Sequence, residues 1–147
     1  MILRRANADD APALHDIAAR AYAVYVERIG RRPRPMDDDY DKRIRAAQVF
    51  VADDEGVVGL IVLVVAPDHV LVDNVAVDPD HQHAGVGRAL LRLAEDYAGE
   101  LGVDRVRLYT NVAMAENIRL HTRLGYEEDG RHISDSFQRV YISKRLS

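Results

Sequence analysis

Residues 75 to 88, Val75-Ala-Val-Asp-Pro-Asp-His-Gln-His-Ala-Gly-Val-Gly-Arg88, run from an apolar stretch through a tight turn into a segment that opens among glycines. Amides at a helix start point outward without partners, and a chain lacking Cβ atoms lets an anion approach them closely, so this segment suits a phosphate. Gly85 and Gly87 fit equally well a sharp strand-to-helix turn with no guest. Two other phosphate loops fail on the letters. A dinucleotide fingerprint needs Gly at 90, where Leu stands, and a nucleoside-triphosphatase loop needs Gly-Lys-Ser/Thr, which is absent. His81 and His83 have a spacing that invites a metal, but no third ligand cluster stands nearby, and no metal is expected. Asp73 is a carboxylate in an otherwise apolar run beside Asn74.

The elements that must position these groups follow from periodicity and punctuation. Met1 to Arg5 reads as a strand. Asp9, Asp10 and Pro12 announce a helix over roughly 10 to 29, with Leu14, Ile17, Ala18, Ala21, Tyr25 and Ile29 on one face and Gly30 as its stop. Residues 31 to 40 form a loop leading into a short second helix through about Ala47. Gln48 to Asp53, Val57 to Ala66 and Val70 to Val77 read as three antiparallel strands of a meander, joined at Asp53-Asp-Glu-Gly56 and Pro67-Asp-His. A helix over 85 to 99, a strand over 106 to 110, a helix over 115 to 124 and two tail strands, 126 to 132 and 137 to 143, complete the order βααβββαβαββ. That order describes an α/β (α+β) domain, a mixed, mainly antiparallel sheet of about seven strands flanked by about four helices.

Composition narrows the class. The chain has 147 residues, 48% hydrophobic and 30% charged, with net charge −4 and no cysteine. One domain spanning 1–147 is expected at this length. Disulfides, Cys-ligated zinc and thiol nucleophiles are excluded. All but Lys42 and Lys144 of the 20 basic residues are Arg, yet acids outnumber bases, so a general nucleic-acid surface is not expected. The apolar runs are too short to span a membrane and the first residues lack a signal-peptide core, so a cytoplasmic location is expected.

Gln82-His-Ala-Gly85-Val-Gly87 resembles the Gln/Arg-x-x-Gly-x-Gly/Ala signature of the GNAT N-acetyltransferase superfamily. The resemblance extends to Asn74-Val-Ala-Val-Asp-Pro79 as the family's fourth strand, and to Leu108-Tyr-Thr-Asn111 with Met114-Ala-Glu-Asn117 through Leu124-Gly-Tyr126 as its fifth strand and fourth helix. Glu127 and the run Arg139 to Lys144 resemble the family's ending. The resemblance implies acetyl-coenzyme A as co-substrate. Its pantetheine arm would pair with Val75, Ala76 and Val77, and its pyrophosphate would sit on the amides of Gln82, His83, Ala84, Gly85, Val86, Gly87 and Arg88. The Arg88 side chain either adds charge or is a solvated first-turn arginine. Asn117 matches an Asn that contacts the coenzyme arm, with a helix-start polar residue as the other reading.

The implied reaction is direct acetyl transfer to a primary amine, of a small molecule or a protein, in a ternary complex. It needs a neutral amine, an oxyanion donor, here the amide of Val75, and a proton for the departing thiolate. No enzyme nucleophile is required. Asp73 is the first candidate for removing the amine proton or positioning a cationic substrate, although a carboxylate near pKa 3.9 accepts poorly from an ammonium near 10.4; Glu116 is weaker. His121 stands where the family often has a Tyr general acid, and its imidazolium is the expected donor, with water or simple packing as alternatives. The family builds its acceptor pocket from the first helices and the late hairpin, which here implies Tyr22, Tyr25 and the loop Pro33 to Tyr40. Tyr25, Met36 and Tyr40 are therefore expected to line it, and Asp37, Asp38 and Asp39 either draw a cationic amine or cap a helix. A non-catalytic acyl-coenzyme A-binding sensor or scaffold of the same fold is the alternative function, with a nucleotide-binding domain behind it. A homodimer, where one forms, is expected through exposed terminal strands.

Overall fold

The computed structural model describes residues 1–134 and 137–146. Among them lie seven strands, β1 (Ile2–Arg5), β2 (Val49–Asp53), β3 (Val57–Val65), β4 (Val70–Val77), β5 (Arg105–Asn111), β6 (Glu127–Ser134) and β7 (Phe137–Arg145), and four helices, α1 (Ala11–Ile29), α2 (Tyr40–Arg45), α3 (Val86–Glu100) and α4 (Ala115–Arg123). The expected order and mixed architecture hold. The strands make one sheet, β1-β2-β3-β4-β5-β7-β6, antiparallel except where β4 lies beside β5. The last hairpin folds back so that β7 enters the sheet and β6 takes the edge. Composition explains this: β7 inserts Val140 and Ile142 into the core, whereas β6 reads Glu-Glu-Asp-Gly-Arg-His-Ile-Ser and tolerates water.

Local signals set the helices. Asn7 and Asp10 form a reciprocal capping box ahead of α1, Pro12 occupies its first turn, and Gly30 closes it with φ of 83°. Asp39 caps α2 through the amide of Lys42. Leu14, Ile17, Ala18 and Tyr22 of α1 pack with Tyr40 on one face of the sheet, against Val49, Val51, Leu60 and Val62. Leu90, Leu91, Ala94 and Ala98 of α3 pack on the other face, against Ile61, Leu63, Val70 and Val72. Residues 58 to 63 of β3 are therefore buried on both sides, which explains its unbroken apolar run. At Gly59 the chain leaves room for α3, since a Cβ there would stand 2.8 Å from Val86 Cγ1.

The sheet carries one irregularity beside its parallel pair. Val62 pairs with Asn74 but Leu63 pairs with Val72, so Asp73 is an extra residue in β4. A bulge reverses which face successive side chains meet. Val70 and Val72 point to the α3 side, whereas Asn74 and Ala76 point to the α1 side.

Candidate functional site

At this bulge the sheet splits. The parallel pairing of β4 with β5 covers only Val70–Val72 against Val106–Leu108. Past that point β5 stays bonded to β7 out to Asn111, and β4 stays bonded to β3 out to Val77, so a wedge opens between them. Asp78 donates its amide to Val58 O at 2.8 Å. By antiparallel alternation, Asn74, Ala76 and Asp78 turn their main-chain groups toward β3, while Val75 and Val77 turn theirs into the wedge. An extended arm laid along β4 would find partners there, much as an added strand would.

The wedge continues into the turn before α3. Gly85 adopts φ of 83° and His83 φ of 67°, a left-handed path that glycine accepts freely and histidine does not. Among the described residues, no amide from Gln82 to Arg88 donates to a backbone carbonyl; the first to do so is Ala89, to Gly85 O at 3.0 Å. These free donors at the positive end of a fifteen-residue helix form a cradle of the kind a diphosphate requires. The approach is braced from α1. Arg20 grips both oxygens of Asp78 at 2.8 and 2.9 Å, and Asp78 also accepts from the Asp80 amide. The Arg20 hydrogen bonds hold the Asp78 carboxyl down at about 2. Gln82, His83, Ala84 and Arg88 are exposed around the cradle. His81 and His83 belong to no cluster of three or more metal-binding side chains among the described residues.

A cleft of about 670 Å³, open solvent included, occupies the mouth of the wedge. Tyr22, Asp73, Val75, Tyr109, Asn117, His121 and Arg139 are among its lining residues. Asp73 sits on its floor with a side chain 9% exposed and its oxygens fully engaged. Arg34 Nη2 lies 2.9 Å from each oxygen, Arg43 Nη2 lies 2.8 Å from Oδ2, and the Tyr109 hydroxyl donates to Oδ1 at 2.8 Å. Arg34 Nη2 also donates to the Tyr109 hydroxyl at 2.5 Å. A carboxylate so occupied has no lone pair aimed at an incoming ammonium, which alters the expectation that it serves as base.

His121 is the second departure. Its side chain is buried beside Tyr126, and burial pushes the imidazole down to about 4. Near neutral pH the ring is therefore neutral, not the expected imidazolium, and its buried Nδ1 has no partner among the described residues. Tyr22 ties α1 to the wedge, donating to Asn74 Oδ1 at 2.6 Å and lying 3.2 Å from Val75 O. Asn74 in turn donates to the Tyr40 hydroxyl, which itself donates to Pro35 O.

The acceptor side differs from the sequence reading as well. Tyr40 is fully buried and has no surface in the cleft. Tyr25 and Met36 pack on the α1-side core, and neither lines the cleft. Its wall does come from the expected loop and late hairpin, but through Pro33, Arg34 and Pro35 and through Phe137 and Arg139 of β7, with Tyr22 and Tyr109 beside them. Arg28, Arg31 and Arg34, each three residues apart, fasten this segment across the opening. Arg28 reaches Glu116 of α4 at 2.5 Å, Arg31 lies 4.0 Å above the Phe137 ring, and Arg34 holds Asp73. Asp37 pairs with Arg32, Asp38 with Arg43, and Asp39 caps α2, so none of the three faces the cleft. The loop from Pro33 and the late hairpin were the segments expected here; nothing local tied Tyr109 to them.

No helix among the described residues is long and apolar enough to cross a membrane. Residues 11–126 match the model of a family described as the acetyltransferase (GNAT) family. Ribosomal protein bS18-alanine N-acetyltransferase of Escherichia coli (strain K12) is 39% identical over 61 residues, 42% of this chain; the match spans 41% of that relative's length. Among solved structures, nourseothricin acetyltransferase superposes with a TM-score of 0.62 and 29% identity over 67% of this chain and 65% of its own. The PaiA N-acetyltransferase of Thermoplasma acidophilum, in complex with coenzyme A, superposes with a TM-score of 0.83 and 16% identity over 99% of this chain and 98% of its own.

Proposed function

Because this chain belongs to the acetyltransferase (GNAT) family, we propose that it acts as a single-domain N-acetyltransferase, moving an acetyl group from acetyl-coenzyme A directly to a primary amine in a ternary complex. One observation carries the reading: the outward Val75 amide and the main-chain groups of Val77 lead, across the braced turn at 78 to 81, to the unbonded amides of 82 to 88. A strand-like arm ending in a diphosphate matches that sequence of donors and acceptors. The alanine N-acetylation performed by the bS18 relative and the coenzyme in the PaiA complex support the same assignment.

In this mechanism the Val75 amide faces the thioester carbonyl and steadies the oxyanion that forms on amine attack. With Asp73 held by two guanidinium groups, the amine arrives neutral. A peptide α-amino group, with a pKa of about 7.7 to 8.0, is roughly a quarter neutral near pH 7.4, whereas a lysine near 10.4 is about a thousandth neutral. The α-amine is therefore the favoured acceptor. Neutral His121 takes the proton released from the nitrogen of the tetrahedral adduct and passes it to the departing thiolate, so that amine and thioester become amide and thiol with no net proton change. Asn117, at the mouth, bonds the coenzyme arm. The protein works in the cytoplasm.

Calorimetry with coenzyme A and acetyl-coenzyme A, followed by thiol release on an amine panel, tests this. Saturable binding and acceptor-dependent thiol release are expected. Absence of binding to the folded protein overturns the assignment, and binding without acceptor-dependent release replaces it with an acyl-coenzyme A-binding sensor or scaffold. His121→Phe should lower turnover at least tenfold and leave coenzyme affinity within twofold; unchanged turnover removes the imidazole from the proton path.

A further inference from the structure

The charge of the cleft names the kind of amine it accepts. Asp73 is the only acidic side chain lining it among the described residues, and that carboxylate is taken up by Arg34, Arg43 and Tyr109. Nearby acids are engaged outside it: Glu116 by Arg28, Asp37 by Arg32, Asp38 by Arg43. Two guanidinium groups, those of Arg34 and Arg139, line the same cleft. Arg34 makes all its contacts through Nη2, leaving the N–H groups of Nε and Nη1 without a protein acceptor among the described residues. Its side chain is 36% exposed, and the Asp73 and Tyr109 bonds fix its plane. Arg139 lies 4.4 Å above the Tyr109 ring, a stacking that orients its guanidinium on the same wall.

From this arrangement we infer that the acceptor is an α-amine bearing an acid group close to it, and that Arg34 is the residue that selects for it. The inference rests on the proposed acetyl transfer and sharpens it. A fixed guanidinium with unused donors favours a carboxylate and repels an extra cation, so Arg34 discriminates in both directions. Free acidic amino acids and peptides with an acidic amino terminus share this chemistry.

Equilibrium binding to the protein saturated with coenzyme A reads the inference without depending on turnover. The probes are the peptide amides Asp-Ala-Ala, Asn-Ala-Ala and Arg-Ala-Ala, with free L-glutamate in a separate arm. At low salt, Asp-Ala-Ala should bind at least tenfold tighter than Asn-Ala-Ala, and Arg-Ala-Ala weakest of the three. Arg34→Gln should bring the Asp to Asn ratio below threefold, a change in selectivity that mere loosening of the loop would not produce. Glutamate binding tighter than the acidic peptide identifies a free amino acid as the source; the reverse identifies a peptide terminus. Equal affinities, preference for Arg-Ala-Ala, or no binding of any acidic probe overturns the inference in the wild-type protein alone. Thiol release from other amines would still uphold the acetyltransferase reading in that event.

Discussion

Replacing Gly59 by Ala tests whether the seat of α3 on β3 controls the coenzyme cradle. A Cβ at 59 would lie 2.8 Å from Val86 Cγ1, 3.1 Å from Leu90 Cδ1 and 3.3 Å from the Ala76 carbonyl oxygen. Carbon atoms rest about 3.5 to 4.0 Å apart, so the 2.8 Å gap at Val86 falls short by about 0.7 to 1.2 Å. Valine in a helix has one strongly preferred rotamer and cannot swing aside, so the first turn of α3 must lift. Overpacking of this kind costs about 1–3 kcal/mol, which for a chain of this size lowers Tm by roughly 2 to 12 °C. Val86 also begins the helix whose amides face outward at 82 to 88, so the lift displaces those donors from the line of β4. Urea unfolding and calorimetric titration with coenzyme A should show both effects, a lower midpoint and an affinity at least threefold weaker. A variant as stable as wild type refutes the packing argument. A destabilised variant with undiminished affinity refutes its extension to the cradle.

Three further outcomes are expected from the same geometry. Gly99 lies on the exposed side of α3 with nothing within 4 Å of an added Cβ, so Gly99→Ala should raise stability by about 0.5–1 kcal/mol in urea unfolding, opposite in sign to Gly59→Ala. Burial lowers the His121 pKa from 6.5 unfolded to about 4 folded, so the neutral ring's contribution is complete above pH 6.5 and lost as pH falls toward 4. The loss, on the order of 3 kcal/mol, should appear in urea midpoints between pH 7.5 and 4.5 and be absent from His121→Phe. The Arg20 fork lowers Asp78 from 3.8 to about 2, so its contribution holds above about pH 4 and disappears between there and pH 2; acid unfolding of Asp78→Asn should lack that second, lower window.

The fold was legible because its elements carry strong local signals. The Asn7 and Asp10 cap, the Gly30 stop, the β-branched runs from 49 to 77 and the helical spacing of Val86, Leu90 and Ala94 each reflect a short-range rule that tertiary packing reinforced. The order within the last hairpin was not legible, because choosing which strand enters the sheet depends on what β5 offers it. The cradle was visible as Gly85 and Gly87 after an apolar strand. The wall beside it was legible as segments, the loop from Pro33 and the late hairpin, but not as side chains: Arg34 lines the cleft where Tyr25, Met36 and Tyr40 were expected. Arg34, Asp73 and Tyr109 stand 39 and 36 residues apart in the chain, and no periodicity links them. Burial also reversed the protonation expected of His121, since its neighbours, and not its residue type, set the cost of charging it.

The bulge at Asp73 connects the proposed coenzyme groove to the proposed acceptor wall. The alternation of buried residues from Val70 to Val77 looks regular, and by letters alone it describes an ordinary strand. Inserting one residue changes the face that every later side chain meets, so the same alternation delivers Val72 to α3 and Asn74 to Tyr22 and Tyr40. It also comes just past the last pair between β4 and β5, so the Val75 amide and the main chain of Val77 have no strand partner on that side, while the Val75 carbonyl accepts from Tyr22. Asp73, the extra residue, comes to rest on the cleft floor, where a lone carboxylate would be costly to bury. Arg34 and Arg43 supply the compensating charge, and Arg34 comes from the loop after α1, so the neutralising partner is also a wall of the cleft. One inserted residue thus opens the wedge proposed to hold the coenzyme and, through the charge it must satisfy, brings Arg34 and Arg43 to the cleft floor.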